Sequence, residues 1–187
     1  MKLIEMAIAD VKLIEPTVFE DERGFFYESF NERDFAAALG EPVRFVQDNH
    51  SLSVFGTLRG LHYQQNRPQG KLVRVIRGEA FDVAVDLRAG SATYGQSFCV
   101  RLNAAEKRQL WIPPGFAHGF LAMSETVELL YKATEYWDAS DERVIAWDDP
   151  ALAIAWPVRI PLLSAKDGCA PAFAEARPVV LGGTSSR

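Results

Sequence analysis

The chain has 187 residues, 48% of them hydrophobic and 24% charged, which suits one packed domain over 1–187 and excludes the composition of a disordered chain. Twenty Lys and Arg against 25 Asp and Glu leave a net charge of −5, which argues against binding nucleic acid, and no stretch approaches the roughly 18 apolar residues of a membrane span. Cys99 and Cys169 stand far apart outside any Cys-x-x-Cys spacing, so neither a disulfide framework nor a zinc knuckle is expected. Lys2, Glu5 and Asp10 interrupt any secretory leader, so the chain reads as cytoplasmic.

In chain order, strands are expected at Val11–Ile14 and Gly24–Phe30, followed by a helix with Asn31 as N-cap, Glu32 and Asp34 in its first turn and Gly40 as its stop. Further strands are expected at Arg44–His50, Thr57–Gln64 and Lys71–Arg77. Phe81, Val83, Val85 and Leu87 then alternate with Asp82, Ala84 and Asp86, the period of a sheet with two different faces. Gly78-Glu79 reads as a tight turn making these last two strands a hairpin. With Arg77 opposite Ala80, Lys71 falls opposite Asp86, and Lys71, Val73, Val75, Asp82 and Ala84 share one mixed face. Strands at Tyr94–Leu102, Gln109–Ile112, Gly119–Met123, Thr126–Tyr136 and Val144–Trp147 complete the pattern. After Asp167 the chain turns rich in Ala, Gly, Pro and Ser, a tail expected to wrap or fray from about residue 168. Many short strands parted by turns predict an all-β, antiparallel, double-sheet jelly roll.

Three histidines are present, His50, His62 and His118. Two lie in glycine-rich stretches, Gly56-Thr-Leu-Arg-Gly-Leu-His62-Tyr-Gln64 and Pro113-Pro-Gly-Phe-Ala-His118-Gly119, and this layout resembles the two signature stretches of the cupin superfamily. Where cupins carry His-x-His and a Glu, this chain has His62-Tyr-Gln64 and no Glu at the expected spacing. Two imidazoles and an amide make a poor first-row metal site, so no metal is expected, and an unligated imidazole is left able to move protons. A lone histidine here is most simply a hydrogen-bonded structural residue; a pair flanked by Arg59 and Lys71 points to a site. Tyr131 shares strand parity with Val127, Leu129 and Ala133 and so faces inward, which a core tyrosine with a satisfied hydroxyl would also explain. Arg23, Arg59, Lys71 and Lys166 suit a compact anion such as a diphosphate.

Longer runs narrow the reading: Asp48-Asn-His-Ser-Leu-Ser53, Gly56 to Gln64, Gln69-Gly-Lys-Leu-Val-Arg74, Gly78 to Asp86, Lys107-Arg-Gln-Leu-Trp-Ile112, Gly115-Phe-Ala-His-Gly-Phe120 and Leu163-Ser-Ala-Lys-Asp167. From about Pro16 to Pro171 the chain closely resembles the dTDP-4-dehydrorhamnose 3,5-epimerase family. It departs at Val144, where a glycine is common, and at Ala139-Ser140, which replace a Pro-containing turn. The resemblance implies a cupin-type barrel that inverts the two carbons flanking the ketone of a dTDP-linked 4-keto-6-deoxyhexose, on the route to dTDP-L-rhamnose, with no redox cofactor. It implies His62 as base, Asp167 as its partner, Tyr131 as acid and Lys71 at the enolate oxygen, helped by His118; the hairpin register above independently puts Lys71 on the mixed face, where Asp82 or Asp86 is expected to hold it. It further implies Arg23, Arg59 and Lys166 at the diphosphate, Glu28, Gln47, Asn49 and Glu142 as further substrate contacts, and Phe26 and Trp137 as aromatic surface for the base. The N-terminal strands with Arg23 and Phe26 are expected to cross into a partner, forming a homodimer. Strict alternation sends Arg59 and His62 to opposite faces, a conflict that a bulge at Gly60 would relieve. The alternatives are an epimerase acting at C3 only or C5 only, a non-catalytic sugar-nucleotide-binding cupin, and a metal-dependent oxygenase on the same scaffold.

Overall fold

A computed structural model describes residues 2–182. The elements are β1 (Lys2–Glu5), β2 (Lys12–Glu15), β3 (Phe19–Asp21), β4 (Gly24–Phe26), α1 (Glu32–Leu39), β5 (Gln47–Val54), β6 (Leu58–Gln64), β7 (Lys71–Arg77), β8 (Glu79–Asp86), β9 (Ser97–Asn103), β10 (Gln109–Ile112), β11 (Phe116–Ala122), β12 (Thr126–Ala133), β13 (Glu142–Val144) and α2 (Ala165–Gly168). A six-stranded sheet in the order β1-β2-β10-β7-β12-β5 faces a five-stranded sheet in the order β13-β6-β11-β8-β9, while β3 and β4 form a separate hairpin. This is a cupin-like jelly roll, as the short alternating strands lead one to expect. No helix among the described residues is long and apolar enough to cross a membrane.

Three hydrophobic layers hold the sandwich. Between the sheets, Val73, Val75, Ala80, Ala84, Phe116, Phe120, Val127 and Leu129 form one buried core. The outer face of β2, β7 and β10 is covered by α1, whose Phe35 packs on Ile14, Leu72 and Trp111. That helix has the expected ends: the Asn31 side chain accepts from Asp34 N–H, and Gly40 closes it in the left-handed conformation at φ 81°. Burying Phe35 is worth about 2 kcal/mol. The outer face of the second sheet is covered by the C-terminal segment, with Ile145, Leu152 and Val179 against Leu61, Tyr63, Val83, Val85 and Leu87. Buried on both sides, β11 is buried at all seven positions and has no alternation to read, so the expected strand at Gly119–Met123 misses its first half.

The expected β7–β8 hairpin is not formed. Only Gly78 separates the two strands, one residue fewer than the shortest common hairpin loop. The chain turns there at φ 79° and crosses to the opposite sheet, where a Cβ would meet Ser124 Oγ and Thr126 O, each at 2.2 Å. β7 pairs instead with β10 and β12, and β8 with β9 and β11. Val73, Val75 and Ala84 still share one core because the inner faces of the two sheets look at each other.

Other boundaries shift for local reasons. The strand expected over Gly24–Phe30 ends at Phe26, since Phe30 turns in to stack on Phe35 and Phe45. The strand over Thr126–Tyr136 ends at Ala133, where Thr134 Oγ1 accepts from Gly70 N–H at 2.7 Å. The bulge expected at Gly60 is present. His118 lies opposite His62 and Phe120 opposite Arg59, so β6 spends three steps where β11 spends two. Gly60 sits at φ 117°, and a Cβ there would be 2.6 Å from the His118 carbonyl. Its register shift is what turns Arg59 and His62 toward one cavity.

Candidate active site

β6, the rim of β5 and the segment around α2 enclose a cavity whose lining includes Ser53, Arg59, His62, Ser164, Lys166 and Asp167. His62 Nε2 lies 2.5 Å from Asp167 Oδ1 across 105 residues of sequence. An ionised carboxylate only accepts, so Nε2 carries the proton and Nδ1 is left as the basic nitrogen. Asp167 is itself buried, and Ser164 Oγ donates to its other oxygen at 2.8 Å. Burial works to raise the Asp167 carboxyl, but the hydrogen bonds and charges of His62, Ser164 and Lys166 outweigh it and hold the pKa below the ordinary value. The pair is therefore a carboxylate facing an imidazole, able to stabilise an imidazolium when one forms.

The local fold of Asp167 carries a sequence signal of its own. Ser164-Ala-Lys-Asp167 has the Ser-x-x-acid spacing of a helix N-terminus, and Ser164 Oγ does accept from Asp167 N–H at 3.1 Å. In a capping box the acidic side chain would return to the cap's own N–H. Here it goes to His62 instead.

Lys71 and Tyr131 stand on neighbouring inward strands, with Lys71 Nζ 5.8 Å from the Tyr131 ring centre. Burial pulls Lys71 down to about 8, against the charges of Glu142 and Asp82, which favour its protonated form. Tyr131 is half-buried against the inner core. Burial raises its hydroxyl above a phenol's usual value, Glu142 adds to the rise and Arg59 opposes it, so it is protonated at neutral pH. Glu142 thus influences both groups. Burial pushes its own carboxyl up, but the Lys166 hydrogen bond at 2.7 Å, the nearby His62 and the Trp137 indole bring it below the ordinary range.

Of the two carboxylates expected to hold Lys71, Asp86 does not. It accepts from Arg88, Ser91 and Thr93 on the far side of β8's turn. Asp82 faces Lys71 but makes its hydrogen bonds with His118 Nε2, at 3.0 and 3.1 Å, both residues being buried. His118 is therefore a second imidazole–carboxylate pair, adjacent to His62 in register but bound to its own acid. Among the described residues no three His, Cys, Asp or Glu side chains are grouped as metal ligands.

The remaining expected contacts divide. Arg59 is aimed by Ser53 Oγ, which accepts from its Nε at 3.0 Å, and by the Leu52 carbonyl at 3.2 Å. On β5, Gln47 donates to Asn49 at 2.9 Å and accepts from Trp137 N–H at 2.9 Å. Arg23, Phe26 and Glu28 are not in the cavity. Arg23 projects from the β3–β4 hairpin, paired with Asp21 and 85% exposed, and Phe26 beside it is 69% exposed. Glu28 lies on the exposed connection to α1, accepting from Asn31 Nδ2 at 3.4 Å.

Comparison with known proteins agrees with this architecture. The family model described as dTDP-4-dehydrorhamnose 3,5-epimerase matches residues 5–175. A protein of that name from Pseudomonas aeruginosa is 59% identical over 94% of this chain and 98% of its own length. One from Salmonella typhimurium is 55% identical over 94% and 97%. The crystal structure of a dTDP-6-deoxy-D-glucose-3,5-epimerase from Legionella pneumophila, in complex with dTDP-4-keto-L-rhamnose, superposes with a TM-score of 0.91 at 50% identity over 93% of each chain. The imidazole–carboxylate pair on a jelly roll thus sits in a chain that belongs to the dTDP-4-dehydrorhamnose 3,5-epimerase family.

Proposed function

We propose that the chain inverts C3 and C5 of dTDP-4-dehydro-6-deoxy-D-glucose to give dTDP-4-dehydro-L-rhamnose, a step of dTDP-L-rhamnose biosynthesis in the cytoplasm. The observation that carries this reading is the 2.5 Å His62–Asp167 hydrogen bond in a cavity flanked by Arg59 and Lys166. His62 Nδ1 takes the proton from carbon beside the ketone, and Asp167 stabilises the resulting imidazolium. The electrons shift to the ketone oxygen as an enolate, which the buried Lys71 ammonium stabilises. The Tyr131 hydroxyl then protonates the carbon from the opposite side. Each cycle leaves a proton on His62 and removes one from Tyr131, and exchange with water resets both. Oxidation state is conserved throughout, so the route calls for no redox cofactor. Arg59 and Lys166 hold the diphosphate, with Glu142 releasing Lys166 to it, and Trp137 offers a face to the base.

The reading is tested by turnover in deuterated water followed by NMR. Solvent deuterium is expected at both C3 and C5. Label at one carbon only would reduce the activity to a single inversion, and no label would leave a binding protein.

We further infer a homodimer in which the β3–β4 hairpin completes the partner's site. Its Phe19, Phe25 and Phe26 are all more than 60% exposed, a poor arrangement for a free surface, and Arg23 beside them is unused by its own cavity. Mixing Arg23→Ala chains with His62→Ala chains is expected to restore activity above that of either alone. Activity equal to the sum of the separate proteins would refute the shared site.

A further inference from the structure

We propose that Gln64 is a positioning residue that fixes the Trp137 loop and, through it, the nucleobase end of the substrate. The inference rests on the reading of Trp137 as a face for the base. Gln64 ends β6 two residues after His62, where the cupin signature places a second histidine. It is only 3% exposed, and its carboxamide is committed to main chain: Oε1 accepts from Asp138 N–H at 2.7 Å, while Nε2 donates to Arg67 O at 2.7 Å and to Tyr136 O at 3.2 Å. Two of these bonds bracket Trp137 in sequence, and Trp137 N–H itself donates to Gln47 Oε1. The two peptide units on either side of the Trp137 Cα are therefore held by two amide side chains.

The turn has other ties: the Trp137 indole meets Glu142, Gln69 Nε2 donates to Glu135 O at 2.8 Å, and the Asp141 and Glu142 N–H groups donate to Asp138 O. None of these reaches the peptide units on either side of the Trp137 Cα. The Trp137 residue is 55% exposed, so packing does not fix it. Arg67 pairs with Glu135 at 2.7 Å and Asp138 at 3.9 Å, but these ion pairs are solvent-exposed and worth little. The buried amide is the costly one to lose, since its removal strands an N–H and two carbonyls. Chemistry also explains why an amide stands here. A neutral imidazole offers one donor and one acceptor on opposite sides of a ring, whereas a carboxamide presents two donors and an acceptor on one planar head. Position 64 has thus become an anchor for the loop that carries Trp137, with Glu142 directly opposite it on β13.

The test compares Gln64→Ala, Gln64→Met and Trp137→Ala, measuring kcat, KM and the calorimetric affinities of dTDP and inorganic pyrophosphate. Gln64→Ala is expected to weaken dTDP about tenfold and raise KM in step, the scale set by stranding buried hydrogen-bonding groups. kcat should stay within about twofold and pyrophosphate affinity should not change, because neither depends on the base. Gln64→Met keeps the side chain's length and bulk while removing all three hydrogen bonds and adding no charge, so it should fold and weaken dTDP by a comparable factor, about threefold to tenfold. It carries the test if the alanine variant does not fold. Unchanged dTDP affinity in the folded variants, or a fall in kcat with dTDP affinity intact, overturns the proposal. Trp137→Ala separates the two ideas: if it weakens dTDP and the Gln64 variants do not, the anchor fails. If Trp137→Ala leaves dTDP affinity unchanged, the base-contact reading fails first.

Discussion

His62→Ala is expected to abolish deuterium exchange at both carbons while dTDP still binds. General-base catalysis by a positioned imidazole is worth about 10²–10⁴ in rate, so a loss near 10³, or about 4 kcal/mol of barrier, is the central expectation. Binding survives because the groups read as diphosphate contacts are held independently of His62: Arg59 by Ser53 and the Leu52 carbonyl, and Lys166 by Glu142. The substitution also strips Asp167 of its main stabilising partner inside a buried site. Ser164 remains as a donor, but burial then pushes the carboxyl back up. NMR-monitored exchange of the 4-keto sugar nucleotide, beside calorimetric binding of dTDP, checks both halves. Exchange at the unsubstituted rate would remove His62 from the chemistry.

Tyr131→Phe is expected to separate exchange from inversion. The ring and its packing on the inner core are kept, and among the described residues the hydroxyl has no hydrogen-bond partner to strand. The loss is confined to the group read as the acid. His62 can still remove a proton and return one to the same face, so solvent deuterium should enter with configuration retained. Inverted product should fall by about 10²–10³, the usual scale for a missing general acid. The measurement is the ratio of labelled starting sugar to inverted product over time. Inversion at a near-normal rate would dismiss Tyr131 as the donor. Exchange lost as completely as in His62→Ala would mean that the hydroxyl acts in proton removal as well.

The two variants probe different physical features. His62 is held by a direct hydrogen bond to a buried carboxylate. Tyr131 and Lys71 are tuned by burial, with the distant charge of Glu142 acting on both. Glu142 was expected as a substrate contact; the structure also pairs it with Lys166 at 2.7 Å, and its charge acts on both Lys71 and Tyr131. That role leaves no trace in local sequence, because the groups meet only when β6, β7, β12 and β13 are assembled.

By itself the sequence determined the fold class, the helix at Glu32–Leu39 with both its caps, the inward parity of Tyr131 and the residue types of the site. These are local properties: period-two alternation, Asn and Gly at helix ends, and long motifs around His62 and Asp167. It assigned Lys71 and Asp82 to one inner face while joining their strands wrongly, since alternation reports which face a residue takes but not which strand lies beside it. Only the tertiary structure decided that β7 and β8 belong to opposite sheets and that Asp82 serves His118. Each of those outcomes is set by pairing between residues distant in the chain. A hydrogen bond such as His62–Asp167, closed over 105 residues, is fixed by the C-terminal segment folding α2 back onto β6 and not by any pattern along one strand.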